Sequence, residues 1–174
     1  PQAAKQGGSR VGGGEGDAGK VTGCGLGPGG GAGRPGRARA ALEACDLIVG
    51  YTAYIDLVRA DFPQKETLST GMRREVDRCR AAVEAARTGK DVAVVCSGDS
   101  GVYGMAGLIY EVAQEYDPIE IEVVPGTTAA CGAAAVLGAP PPHHLAVVSP
   151  SDLPPPRDQA PARAPPPAQA ARGT

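Results

Sequence analysis

Three glycine-containing loops are the segments of this sequence whose residue types suit ligand binding. Their sequences are GLGPGG at 25–30, SGDSGVYG at 97–104 and PGTTAA at 125–130, and each directly follows a segment that is typical of a strand. Glycine lets the backbone approach a ligand closely and adopt positive φ, so such loops can surround a small molecule with main-chain contacts. In an open parallel sheet, ligands bind beyond the carboxyl ends of the strands. Together the loops predict a ligand cleft, although each loop taken alone is also compatible with a purely structural turn.

The polar groups of these loops limit the chemistry that they offer. No loop carries the GK[ST] signature of a phosphate-binding loop. Asp99 is the acidic side chain of the three loops, and it suits a ribose hydroxyl or an ammonium group. The alternative is that Asp99 caps its own turn by accepting hydrogen bonds from nearby amides.

Alternating strand and helix patterns provide the elements that position the loops. Strand patterns lie at 20–26, 46–50, 91–97 and 119–124, and helix patterns lie at 37–45, 52–58, 72–88 and in the segments that begin near 105 and 127. This alternation predicts an α/β fold, with a mainly parallel sheet and helices on both faces. The continuous apolar run at 91–97 predicts a strand buried on both sides, and the alternating run at 119–124 predicts a strand near an edge. A further strand is predicted to begin at 145–149.

The clearest helix pattern is the one at 72–88. Met72, Val76, Cys79, Val83 and Ala86 recur at spacings of three and four residues, with charged residues between them. We expect these five side chains to face the core and the helix to end at Gly89, since glycine is common directly after a helix. It should be the longest or second-longest helix of the sheet domain.

Composition and charge exclude several classes of protein. The chain has 174 residues, of which 42% are hydrophobic, and its net charge is −2. This balance provides no basic surface for nucleic acid, and no segment approaches the roughly 20 apolar residues of a membrane helix. The five cysteines form no CxxC pair, so we expect buried reduced thiols rather than disulfides or a metal site. We expect a cytoplasmic protein with no nucleic-acid or membrane partner.

Glycine and proline are concentrated at the two ends of the chain. Residues 1–19 are Gly-rich and residues 154–174 are Pro-rich, and we expect both to be disordered tails without packed contacts. Between them we expect an α/β domain at 20–126 and the beginning of a second domain at 127–153.

Three stretches within residues 20–153 resemble the tetrapyrrole methylases. They are RARAALEACDLIVGYTAYIDLV, STGMRREVDRCRAAVEAARTGKDVAVVCSGDSGVYGMAGLIYEV and EVVPGTTAACGAAAVLGAP. TGMRREV followed by SGDSGVYGMAGL resembles the branch that methylates C17 of precorrin-3B, with ring contraction, in cobalamin biosynthesis, whereas other members carry a GDPxxYG form. The resemblance implies two α/β domains with S-adenosylmethionine in the cleft between them, a tetrapyrrole substrate, no metal and, in full-length members, a homodimer.

The resemblance also implies roles for individual residues. Cofactor contacts, largely through backbone groups, are implied for Gly27, Pro28, Gly29, Ser97, Gly98, Asp99, Val102, Thr128 and Ala129. Tyr51 and Tyr54 follow the second strand, where the family presents substrate-side residues, and they are candidates for orienting the substrate or assisting a proton transfer. Arg73 and Arg74 are candidates for pairing with substrate carboxylates, and His143 is a candidate for a substrate contact near the domain junction. The alternatives are ordinary boundary aromatics for the tyrosines and a solvated helix face for the arginines.

The resemblance ends near Asp152, where the sequence becomes rich in proline. Family members continue beyond this point with the rest of a second domain. We therefore expect a truncated or frame-disrupted member that binds S-adenosylmethionine weakly and has little methyltransferase activity. Two alternatives to the C17-methyltransferase stay open, namely another tetrapyrrole methylase with a different acceptor carbon and an inactive or weakly cofactor-binding fragment.

Overall fold

A computed structural model of the chain describes residues 18–29, 31–139 and 145–149. The described residues divide into two units, of which the first ends at Gly132 and the second begins at Ala133. In chain order the elements are β1 (Lys20–Gly25), α1 (Gly36–Ala44), β2 (Leu47–Tyr51), α2 (Thr52–Arg59), β3 (Glu66–Thr70), α3 (Glu75–Arg87), β4 (Val92–Cys96), α4 (Ala106–Ala113), β5 (Glu120–Val124) and α5 (Ala129–Val136). A single 3-10 turn at Gly31–Gly33 precedes α1.

The strands form one sheet in the order β3-β2-β4-β1-β5, and every pairing is parallel. This arrangement confirms the predicted α/β fold with a parallel sheet. All residues of β4 are buried at the centre, as its continuous apolar run predicts, and β5 forms an edge. Because the strands are parallel, their carboxyl ends lie at one edge of the sheet. The loops that follow β4, β1 and β5 therefore leave three neighbouring strands.

Alternate side chains of the sheet pack against helices on opposite faces. In β4, Val92 and Val94 pack with α3 and α4, whereas Ala93 and Val95 pack with α1 and α2. Each of these four residues is at most 1% exposed. The alternation follows from strand geometry, in which successive side chains point to opposite faces. It confirms the prediction of helices on both faces of the sheet.

Charged side chains connect β1 to β5 at the edge of the sheet. The Lys20 ammonium lies 3.1 Å from one Glu122 carboxylate oxygen, and the Arg37 guanidinium lies 3.0 Å from the other. Burial acts to raise the pKa of Glu122, but the hydrogen bonds and charges of Lys20 and Arg37 outweigh it, so the pKa lies below its usual value. The hydrogen bond to Glu122 raises the pKa of Lys20 in turn. Both groups are therefore charged at neutral pH.

The third strand and the start of α3 differ from the sequence-based expectation. No strand was expected at β3, because its sequence ETLST contains no apolar run. The strand lies at an edge and pairs only with β2, so its residues are exposed or half-buried and need not be apolar. Helix α3 has 13 residues and is the longest helix of the described part, as predicted, but it begins at Glu75. Met72 and Val76 were expected in the core and are 70% and 45% exposed.

The physical reason lies in the direction of α3. A helix that connects parallel strands runs opposite to them, so its first turn lies at the carboxyl edge, where the apolar surface of the sheet ends. Cys79, Val83 and Ala86 are buried as expected, and Arg78 and Ala82 are buried with them. The helix ends before Gly89, which has φ +96°. Its apolar stripe is thus shifted toward the carboxyl-terminal end of the predicted pattern.

Three other expectations concern the ends of the chain. Residues 145–149 form no strand, and most of them are exposed. A strand requires a neighbouring strand for its backbone bonds, and the described part of the second unit contains none. Gly19 is not part of a free tail, since its N–H donates to the Ala86 carbonyl at 2.9 Å. Residues 1–17, His143 and 154–174 lie outside the described residues.

Candidate ligand-binding site at the carboxyl edge of the sheet

Three loops meet at the carboxyl edge, and we name them loop 1 (26–29 and 31–35), loop 2 (97–105) and loop 3 (125–128). Loops 1 and 2 are joined by a reciprocal pair of backbone hydrogen bonds between Gly27 and Gly98, with N···O distances of 3.0 and 2.8 Å. Pro28 packs against Gly132 of α5, where an added Cβ would lie 3.1 Å from the proline ring. The structure therefore brings the three sequence-predicted loops together, as expected for neighbouring parallel strands.

Asp99 organises loops 2 and 3. One carboxylate oxygen accepts hydrogen bonds from the N–H groups of Gly101 and Val102 at 2.8 and 3.1 Å, and the other accepts from the N–H of Gly126 at 2.8 Å. These are the contacts of the turn-capping alternative. An ionised carboxylate has about four acceptor sites, so these bonds leave capacity for one more donor. A contact between Asp99 and a ligand stays a prediction.

Glycine is required where these loops touch. A Cβ on Gly126 would lie 2.0 Å from the Gly98 carbonyl oxygen, and Gly98 itself has φ +65°. A Cβ on Gly98 would lie 3.6 Å from the backbone nitrogen of Ala129 and 3.8 Å from the Cα of Thr128. The predicted cofactor residues of loops 2 and 3 therefore lie side by side.

The spacing of Gly25, Gly27 and Gly30 also matches the GxGxxG pattern of dinucleotide-binding proteins. In that motif the helix opens within the glycine loop, so that the pyrophosphate lies on the helix N-terminus. Here α1 begins only at Gly36, after a separate 3-10 turn. The local structure of loop 1 is therefore not that of the dinucleotide motif.

A cavity of about 260 Å³ opens beside loop 2. The residues that line it include Tyr51, Tyr54, Met72, Arg78, Ser97 and Tyr103. The Ser97 hydroxyl donates to the Tyr54 hydroxyl at 3.0 Å, and the rings of Tyr51 and Tyr54 meet edge to face with centroids 5.4 Å apart. Of the two predicted substrate-side tyrosines, Tyr54 thus contacts the predicted cofactor residue Ser97 directly, and Tyr51 contacts Tyr54.

Arg78 is a residue of this cavity that the sequence analysis missed. It is 3% exposed, and its Nε and one terminal nitrogen donate to the Thr70 hydroxyl at 2.8 Å and the Gly71 carbonyl at 3.2 Å. Its other terminal nitrogen lies 3.7 Å from the Met105 sulfur. The signal that could have found it is its spacing of four residues from Ala82, which places an arginine on the buried side of α3.

The two arginines that the sequence analysis selected lie outside the cavity lining. Arg73 is exposed with φ +61°, and Arg74 is exposed and pairs with Asp77 one turn along the chain. Tyr103, on the cavity wall, has φ +52°. Positive φ is uncommon for residues other than glycine and tends to occur at functional sites. Of the two strained residues, Tyr103 lines the cavity and Arg73 directly follows the lining residue Met72 in sequence.

The cysteines and acidic residues contribute no further reactive centre. Burial raises the pKa of Cys96, which lines the cavity, and this keeps its thiol protonated at neutral pH. Four cysteines are buried, but Cys131 is exposed, which contradicts the expectation for that residue because its side of α5 has no packing partner among the described residues. Within the described ranges, no group of three or more His, Cys, Asp or Glu side chains could hold a metal ion. None of the described helices is long and apolar enough to cross a membrane.

Comparison with known proteins identifies the family. The tetrapyrrole (corrin/porphyrin) methylases match residues 20–171. The chain belongs to the tetrapyrrole methylase family. The chain is 45% identical over 130 residues to a probable cobalt-factor III C(17)-methyltransferase of Salmonella typhimurium, and the match covers 74% of this chain and 54% of that protein. A cobalt-factor III methyltransferase of Priestia megaterium is 44% identical over 139 residues, which is 77% of this chain and 26% of the relative.

A solved structure supports the same family assignment. The methyltransferase CobJ has a TM-score of 0.68 and 37% sequence identity, over 75% of this chain and 55% of that one. The chain therefore spans about half or less of the length of the relatives that it matches. Both relatives are named for cobalt-factor III and the first also for C(17), so the chain is similar to the branch of the family that the sequence motifs indicate.

Proposed function

We propose that this chain is part of an S-adenosylmethionine-dependent methyltransferase that methylates C17 of a precorrin-type tetrapyrrole, with ring contraction, in cobalamin biosynthesis. The observation that carries the proposal is the meeting of three glycine loops beside a cavity lined by Tyr51, Tyr54 and Ser97. In the proposal the protein works in the cytoplasm, and the enzyme is a homodimer, as the resemblance implies for full-length members.

The loops fit S-adenosylmethionine, which supplies the methyl group when it is bound. This molecule carries an adenosine, a sulfonium and an amino acid, and it needs scattered donors and acceptors rather than a cationic phosphate cradle. Loop 1 presents the exposed backbone of Pro28 and Gly29, and a Cβ on Gly29 would meet no atom within 4 Å. Loop 2 presents the exposed Ser97 hydroxyl and the remaining acceptor site of Asp99. In the proposal, Val102, Thr128 and Ala129 complete this set.

Positioning is the contribution of the protein in this proposal. Methyl transfer needs an in-line approach of acceptor and donor, and correct placement of two reactants can supply much of the rate acceleration. Tyr54 is held by Ser97 at 3.0 Å and by the ring of Tyr51, so its hydroxyl has a fixed place on the cavity wall. We assign Tyr51 and Tyr54 to orienting the tetrapyrrole. The proposal extends to His143, as a substrate contact, only by resemblance.

Ligand binding by the chain can be measured with S-adenosylhomocysteine, the stable product of methyl transfer. Saturation-transfer NMR detects weak binding, which suits a chain that covers about half of its relatives. We expect saturation to pass from the protein to the adenosine protons of S-adenosylhomocysteine, and this signal to fall when S-adenosylmethionine is added. We expect no saturation transfer to NADH. Binding of NADH and not of S-adenosylhomocysteine by folded protein would overturn the proposal in favour of a dinucleotide site.

A pair of serine variants tests the assigned loop. Ser97→Ala removes the loop 2 hydroxyl, and Ser69→Ala removes an exposed hydroxyl of β3 and serves as the control. We expect Ser97→Ala to weaken binding several-fold, because a hydrogen bond contributes about 1 kcal/mol, and Ser69→Ala to have no effect. If both variants change ligand binding equally, Ser97 does not contact the ligand.

A further inference from the structure

Arg78 carries a buried charge that no acidic side chain of the described residues neutralises. Its side chain is 3% exposed, and none of the ion pairs within 4.0 Å in the described part of the chain includes it. Its hydrogen bonds go to the neutral oxygens of Thr70 and Gly71. Burial of a charge is costly unless it is paired. A fold that keeps this guanidinium at a cavity wall leaves it able to pair with an anion from outside.

The guanidinium is held in a fixed orientation, with one side left for a ligand. Thr70 and Gly71 fix the Nε side, and the remaining terminal nitrogen faces only the Met105 sulfur at 3.7 Å, which is a weak acceptor. Arginine binds carboxylates through two parallel N–H groups, and a fixed fork loses little entropy on binding. Glu75 also lines the cavity, but it is exposed and forms no ion pair with Arg78.

The size of the cavity selects part of a ligand rather than a whole macrocycle. At about 260 Å³ it is smaller than the pockets of about 300–1,000 Å³ that enclose drug-sized molecules. A single acetate or propionate arm fits this space. Met72 and Tyr103, 70% and 60% exposed, lie at the entrance and provide apolar surface for a ring that stays outside.

We propose that Arg78 binds a carboxylate arm of the tetrapyrrole substrate in this cavity and so fixes the position of the ring beside loop 2. The identity of the ligand as a tetrapyrrole rests on the proposed function. The role belongs to Arg78 and not to Arg73 or Arg74, because only Arg78 lines the cavity and is buried. Arg78 is a substrate-binding and positioning residue, and no bond to it is made or broken.

The test uses coproporphyrin III, whose propionate arms are free acids, and its methyl ester as the uncharged analogue, with porphyrin fluorescence as the readout. We expect the intact chain to bind the acid at least tenfold more tightly than the ester. Arg78→Gln should weaken binding of the acid about ten- to a hundredfold, the loss expected for a charge-assisted hydrogen bond, and should leave the ester unaffected. Arg80→Gln is the control, because Arg80 lies on the same helix and pairs with Glu115 at the surface.

Three further results decide the interpretation. Equal affinity of the intact chain for acid and ester overturns the proposal without any variant, which covers the case that Arg78→Gln does not fold. An equal loss of acid and ester binding in Arg78→Gln and in Arg78→Lys shows that Arg78 only ties α3 to Thr70 and Gly71, and it also overturns the proposal. S-adenosylhomocysteine binding is recorded for each variant, so that failure of loop 2 as a cofactor site is distinguished from failure of the carboxylate site.

Discussion

Removal of the Asp99 carboxylate should destabilise the protein because it separates loops 2 and 3. The side chain accepts three backbone hydrogen bonds, and those from Gly101 and Val102 come from exposed residues whose amides water can reach. The bond from Gly126 is partly buried and joins loop 3 to loop 2. Hydrogen bonds to charged groups contribute about 1.5–3 kcal/mol each when they are buried. Allowing for water at the two exposed amides, we expect Asp99→Ala to lower the free energy of unfolding by about 2–3 kcal/mol.

The asparagine variant separates the two oxygens of Asp99. Asp99→Asn keeps the shape, but only one oxygen accepts, so either the Gly126 bond or the pair to Gly101 and Val102 is lost. We expect a loss of about 1–2 kcal/mol, between wild type and Asp99→Ala. Urea unfolding followed by circular dichroism measures both, and with a slope of about 2 kcal/mol/M the midpoint of Asp99→Ala should fall by roughly 1 M.

The control is Asp117→Ala, which removes a surface carboxylate paired with Arg87. Exposed ion pairs contribute little, so we expect a change below about 0.5 kcal/mol. If Asp99→Ala unfolds within about 0.5 kcal/mol of wild type, the interpretation of Asp99 as the tie between loops 2 and 3 is wrong. If Asp99→Ala loses stability as expected but still binds S-adenosylhomocysteine as tightly as wild type under conditions in which it is folded, the carboxylate has no ligand contact.

Three other predictions concern backbone packing, thiol reactivity and pH. Gly126→Ala places a Cβ 2.0 Å from a loop 2 carbonyl oxygen and should lower the free energy of unfolding in urea by more than about 3 kcal/mol. Gly107→Ala, in open space on α4, is the control and should raise it by up to about 1 kcal/mol. Equal effects of the two variants would show that loops 2 and 3 are not in close contact at Gly126. Iodoacetamide on native protein should label Cys131 alone within minutes, as read by mass spectrometry, because burial raises the pKa of the thiols in the core, to about 12 for Cys24. Glu122→Gln should lower stability by about 0.5–1 kcal/mol at pH 7. The lowered carboxyl pKa of Glu122 means that the ion pair stabilises the fold above the ordinary carboxyl pKa and that this stabilisation is lost as the pH falls through the folded value. The difference from wild type should therefore shrink as the solution is made acidic, and a pH-independent loss would refute the prediction.

The patterns that predicted the fold are those with a strong physical signal. The unbroken apolar run of β4 requires burial on both faces, and the alternation in β5 requires an edge, and both hold in the structure. The polar strand β3 gives no such signal, because it pairs with β2 alone and Leu68 is its one apolar residue packed against the core. Sequence spacing alone therefore detects strands with several apolar residues, whether central or at an edge, and misses a polar edge strand such as β3.

The site was predictable where backbone geometry defines it and not where burial does. Glycine loops that follow parallel strands were expected at one edge of the sheet, and the family resemblance named Gly27 and Gly98, which the structure joins by two backbone hydrogen bonds. Arg78 was not named, because a charged residue on a helix is normally exposed. Its spacing from Ala82 is a weak signal beside the contacts with Thr70, Gly71 and Met105 that hold its side chain.

The insertion of β4 between β2 and β1 determines when the ligand edge can form during folding. β1 and β2 have no pairing with one another, and Val21 of β1 pairs with Val92 while Lys20 pairs with Glu120. Such distant pairings carry a large loop-closure cost and are formed slowly. Before β4 is in place, the chain can form only the separate β2–β3 and β1–β5 ladders and α-helical segments. Docking of β4 then completes the sheet and brings Gly27 against Gly98 in the same step, so the rate at which a nascent or refolding chain gains its binding loops is the rate at which β4 is inserted.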